Sequence, residues 1–182
     1  MLPDEARTGS MGLMDKYKAL FTGPAIDVAS EIGKLLPDGD RVLVHCQVIP
    51  SGFKRGGGGV GVDGRLMNLV TSAVETAVSR SQHIGGEEGS TARSLPNEAG
   101  PYLMVISEQN LSMWDLGMTG NQLPAEHLVT VPRSQVASIV DTGKTAQGGV
   151  PVARLTFADG SFADQRLISK PGPDFWAVAS TV

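Results

Sequence analysis

Cysteine is almost absent: Cys46 is the only one in 182 residues. That excludes an intrachain disulfide framework and a multi-cysteine zinc site. Aromatic residues make up only 5% of the chain, so a core has to be built mainly from aliphatic side chains. There is no surplus of positive charge either. The net charge is −4 and the isoelectric point about 5.3, which argues against a general nucleic-acid binder, because such proteins need excess Lys and Arg to displace counterions. No apolar run approaches the roughly 20 residues needed to cross a bilayer. The opening residues MLPDEARTGS have no apolar stretch and carry Asp4 and Glu5, so a secretory signal is not expected. The expected compartment is a reducing cytoplasm.

What is present is enough to fold. Hydrophobic residues are 41% of the chain, which allows a real core in one domain, while 23 glycines point to irregular segments beside it. Frequent Gly and Ala, with Arg used more than Lys, suggest a bacterial, GC-rich source. Residues 1–11 read as a flexible N-terminus and 12–182 as a single domain, with N-terminal helices over 12–38. The first helix, 14–21, carries Tyr17, Leu20 and Phe21 at helical spacing, and Thr22-Gly23-Pro24 breaks it. The second, 25–36, places Ile26, Ala29, Ile32 or Gly33, and Leu36 on one face. Pro37-Asp38-Gly39-Asp40 is a turn. A strand over 42–49 follows, with Val42, Val44, Cys46 and Val48 on one face and Leu43, His45, Gln47 and Ile49 on the other. Residues 51–100 read as a Gly-rich insertion. Its helix, about 63–83, has Asp63 as N-cap and an apolar stripe from Leu66 to Ala77. The stretch 85–100 reads as loose.

From Tyr102 the pattern changes to short strands at regular spacing. They are expected at 102–107, 111–116, 128–131, 136–141, 152–157 and 161–168, with Asp159-Gly160 as the clearest hairpin signal. Pro173-Asp174 opens a final helix over 175–182, with Phe175, Trp176, Val178 and Ala179 available to cover a sheet opening.

Several segments resemble the pleckstrin-homology-like domains of bacteria, including GRAM-like domains. YLMVISEQNLSMWDL is similar to that family's paired second and third strands, and LVTVPRSQVASIV to its fourth-to-fifth strand passage. LTFADGSFADQRL resembles the closing hairpin, and PDFWAVAST the capping helix. The resemblance covers 42–50 and 101–182. It implies an α+β fold, a seven-stranded antiparallel barrel with a C-terminal capping helix; this chain adds N-terminal helices and departs from the family's short first hairpin by a helix-bearing insertion between strands one and two. It also implies a non-catalytic module that recognises a protein or peptide. In members that bind phosphoinositides, basic residues lie between the first two strands, where this chain has Lys54 and Arg55.

The candidate chemistry is sparse. Lys54 and Arg55 precede Gly56, Gly57, Gly58 and Gly59, whose backbone N–H groups could cradle an anion beside a helix start. This segment is the candidate ligand-binding site, for an anionic lipid headgroup in a peripheral-membrane reading. It lacks the Gly-Lys-Ser/Thr ending of a phosphate-binding P-loop. His45 and Cys46 are adjacent but point to opposite faces of a strand, so they cannot share a proton. His83 and His127 have no metal-ligand spacing, and no serine has an evident base. No catalytic residue, metal ligand or cofactor is expected, and the chain is read as a non-enzyme. A small-ligand carrier or an enzyme of unknown type is the remaining alternative.

Overall fold

A computed structural model describes residues 27–51, 82–98, 101–115, 125–146, 149–168, 171 and 173–182. Strands and helices below are those of the described residues. The fold is α+β and dominated by one antiparallel sheet. Helix α1, Val28–Gly33, is capped by the Asp27 carboxylate, which accepts from Ser30 N–H at 3.0 Å. Strand β1, Val42–Pro50, is followed by a two-residue β2, Ile84–Gly85, and by α2, Thr91–Ser94. The meander then runs through β3 (Tyr102–Ser107), β4 (Asn110–Asp115), β5 (Glu126–Pro132), β6 (Val136–Ala146), β7 (Val150–Phe157) and β8 (Phe162–Leu167), and α3 (Pro173–Ala179) follows.

The sheet order is β5-β4-β3-β1-β8-β7-β6. The first long strand therefore pairs with both the second and the last, which folds the meander around one core. β1 meets β8 only over Val48–Pro50. The rest of β8 is covered by β2, through Ile84 opposite Ala163 and Gly85 opposite Phe162. This adds an eighth strand to the seven expected from sequence. The sheet is also not a closed barrel: β5 and β6 are its two ends, and no ladder joins them among the described residues. Pro132 ends β5, and the 3-10 turn Arg133–Gln135 carries the chain to β6. Helix α3 lies against β1 and β6 and adds Phe175 and Ala179 to the main core.

That core is aliphatic, as the low aromatic content requires. Cys46, Val48, Met104, Ile106, Leu111, Met113, Leu155, Phe157 and Leu167 are all buried within it. A second, smaller cluster lies on the opposite face of β3 and β4, where Ile32 of α1 packs with Leu103, Val105, Trp114 and Ala125. Strand β3 is consequently buried on both faces, which is why its sequence is continuously apolar instead of alternating. The same cluster explains a departure in β1. The register shifts between Val42 and Val44, so Val42 packs with the α1 cluster while Val44, Cys46 and Val48 face the main core. A bulge moves side chains to the other face in this way.

Three further boundaries differ from expectation. Helix α1 is shorter than 25–36, because Asp27 caps it and it ends at Gly33. Strand β6, expected to end at 141, runs on to Ala146. The Asp141 carboxylate accepts from Gly143 N–H at 2.8 Å and Thr142 Oγ1 from Lys144 N–H at 3.2 Å, so side chains satisfy the backbone across a bulge. The stretch 85–100 is not loose as far as it is described, since 82–98 holds β2 and α2 against the β7–β8 hairpin. Of the expected helix 63–83, only residues 82 and 83 are among those described, and both are helical. The expected helix 14–21 lies outside them.

Candidate functional site

The candidate anion segment, Lys54, Arg55, Gly56, Gly57, Gly58 and Gly59, lies outside the described residues. His45 and Cys46 do point to opposite faces. Cys46 is buried in the main core and donates its S–H to the Gln47 carbonyl at 3.5 Å. His45 lies on the outer face, where partial loss of solvent around the ring holds its imidazole below the ordinary range, against the pull of Asp27. His127 stacks edge-on against Trp114 at 4.9 Å and pairs with Thr130 Oγ1 at 2.7 Å. Among the described residues no group of His, Cys, Asp and Glu could hold a metal ion, and no helix is long and apolar enough to cross a membrane.

Most buried polar groups hold distant segments together. The Asp40 carboxylate is buried, which alone would raise its pKa. Hydrogen bonds from Ser107 Oγ, Asn110 Nδ2, Gln109 N–H and Arg41 N–H outweigh that cost and hold it below the usual carboxylate range. This knot ties the start of β1 to the β3–β4 turn, and Arg41 pairs with Glu108 beside it.

A second knot fastens the insertion. Asp159, in the β7–β8 turn, accepts from Ser161 Oγ at 2.6 Å, from Thr91 N–H at 2.8 Å and from Ser161 N–H at 2.9 Å. These bonds hold its carboxyl far below its ordinary value. Ser161 Oγ in turn accepts from Ala92 N–H at 3.0 Å. The turn therefore caps the start of α2 from some 70 residues away in sequence. Sequence alone accounts for Asp159 by its hairpin; the long-range capping has no local signal. Two glycines make the close approach possible. A Cβ on Gly85 would stand 2.1 Å from Phe162 Cε1, and one on Gly86, at φ +122°, would stand 2.5 Å from Ser90 Oγ.

A third cluster lies on the outer face of β7 and β8. Asp164, buried to 1% exposure, accepts from Arg154 Nε at 2.7 Å and Nη2 at 2.9 Å, and from His83 Nδ1 at 3.0 Å. The Arg154 guanidinium lies over the Phe162 ring, 4.1 Å from its centre.

The remaining surface feature is the opening between β5 and β6. Each end strand leaves one row of backbone N–H and C=O groups without a ladder partner among the described residues. Each also carries an exposed apolar side chain, Leu128 on β5 and Val140 on β6. Bulges bound the regular stretches. In β5 the register shifts at Leu128. In β6 it shifts before Ser138 and after Asp141, leaving 138–141 regular. Arg133 guards one end, donating to the Thr181 carbonyl at 3.0 Å and to Thr181 Oγ1 at 3.1 Å just past α3.

The chain matches no protein-family model, and no curated protein or solved structure is significantly similar to it.

Proposed function

We propose that the chain is a non-catalytic recognition module on a pleckstrin-homology-like scaffold, and that it binds a short extended peptide at the opening between β5 and β6. The observation that carries this reading is the open sheet: two end strands whose outer backbone rows have no ladder partner among the described residues, beside a helix that packs on the core. An added strand gains main-chain hydrogen bonds there, and its side chains meet Val140 or Leu128. The sheet supports the scaffold, since an antiparallel meander with a C-terminal helix against it is the plan implied by the resemblance. The bulges favour a short peptide over edge-to-edge pairing of two copies, because bulged edges resist long flat ladders. The polar knots at Asp40 and Asp159 have complete structural roles, so they support no catalytic reading.

The test is selection of binding peptides from a random displayed library, followed by affinity measurement on Val140→Lys and Leu128→Lys variants. A strand-forming peptide weakened about tenfold or more by either substitution supports the reading, as expected for loss of a central apolar contact. Peptides indifferent to both would defeat it. Sedimentation with anionic vesicles separates the lipid alternative: the peptide reading expects the parent protein to stay in solution.

A further inference from the structure

We propose that Arg154 and His83 form a binding site for a single oxyanion, a carboxylate or a phosphate, on the outer face of β7 and β8. A guanidinium has two edges that match an oxyanion. Asp164 occupies the side edge, through Nε and Nη2, and leaves the end edge, Nη1 with the second hydrogen of Nη2, turned away from the carboxylate. Among the described residues no hydrogen bond engages that end edge. His83 is arranged in the same way. An ionised carboxylate only accepts, so Nδ1 carries the hydrogen toward Asp164 Oδ2, and Nε2 faces away with no partner among the described residues.

The two groups are neighbours, since Arg154 Nη2 and His83 Nδ1 meet the same oxygen, Oδ2. Both side chains reach solvent, at 35% and 26% exposure, while the carboxylate between them is at 1%. The arrangement is also held in advance. Asp164 fixes both groups from below, and the Phe162 ring fixes the guanidinium plane, so an arriving anion orders little. Arg154 and Asp164 cancel in charge. An anion would accept two hydrogen bonds from the end edge of Arg154 and a third from Nε2 of His83 when it carries a proton.

A salt bridge that only staples the insertion to β8 would need neither outward edge, and that difference is measurable. The full chain, labelled with ¹⁵N, is titrated at pH 6 with inorganic phosphate and separately with acetate, following the Arg154 guanidinium and His83 imidazole resonances. Saturable shifts at both residues with either anion are expected. Arg154→Lys keeps a cation beside Asp164 but lacks the second edge, so affinity should fall about tenfold. His83→Gln keeps a donor for Asp164 but removes the imidazole, and a severalfold loss is expected. Absence of saturable shifts with both anions overturns the proposal. So does unchanged affinity in Arg154→Lys, or, should that variant fail to fold, unchanged affinity in His83→Gln.

Discussion

Replacing Gly85 by alanine tests how firmly the insertion is seated. The new methyl carbon would stand 2.1, 2.6 and 2.8 Å from three atoms of one edge of the Phe162 ring. Because three ring atoms are involved, a small rotation does not relieve the contact. The ring must leave its place, which gives up its contact with the Arg154 guanidinium, or β2 must separate from β8. Overpacking of this kind costs about 1–3 kcal/mol. With a urea slope of about 2 kcal/mol per molar, the unfolding midpoint should fall by roughly 0.5–1.5 M. Two other glycines serve as controls. Gly33 has nothing within 4 Å and no positive φ, so Gly33→Ala at the end of α1 should be neutral or stabilising by up to about 1 kcal/mol. Gly89, at φ +83° in open space, should lose about 1 kcal/mol through backbone strain alone. The assay is urea unfolding followed by far-ultraviolet circular dichroism, together with amide exchange at Ile84. A Gly85→Ala protein as stable as its parent, with Ile84 still protected, would refute the packing argument.

Three further outcomes follow from the packing and hydrogen bonds. Ile32→Ala removes the most buried side chain of α1 and should cost about 2–4 kcal/mol; fluorescence of Trp114, which shares its cluster, should change at lower urea than the signal of the sheet. Asp40 has a folded pKa below its unfolded one, so its contribution is complete above the ordinary carboxylate pKa of about 4 and is lost as pH falls through the lower, folded value. Acid titration should show stability declining below about pH 4, and Asp40→Asn should flatten that decline while costing about 1–3 kcal/mol at neutral pH. Arg133→Ala should cost about 1 kcal/mol and speed amide exchange in α3, because the guanidinium no longer holds Thr181.

The meander was largely legible because its signals are local. Asp159-Gly160 turns as its residue types require, with Gly160 at φ +79°, and Pro173 and Asp174 begin α3 where such residues favour a helix start. The strand count over 102–168 follows from the same kind of local punctuation. What sequence did not reveal depends on partners far along the chain. The doubly buried β3 needs α1 on its outer face, and the bulge that turns Val42 outward serves the same cluster. The order in 82–98 comes from a turn carboxylate near residue 160 and from two glycines whose smallness matters only against Phe162, Ser90 and Ser161. The Arg154–Asp164–His83 cluster joins residues 81 positions apart, and no spacing rule connects them. The openness of the sheet has no local signal for a related reason: strand number can be counted locally, whereas whether β5 and β6 meet depends on where Pro132 and Arg133 send the chain.

The proposed peptide site requires that β5 and β6 offer their outer strand edges to a ligand. Amide hydrogen exchange with and without a selected peptide tests it most directly. New protection is expected over 138–141 in β6, or over 129–131 in β5, with little change in the outward residues of β1. Protection confined to the exposed face around Leu43 and His45, with both end strands unchanged, would contradict it.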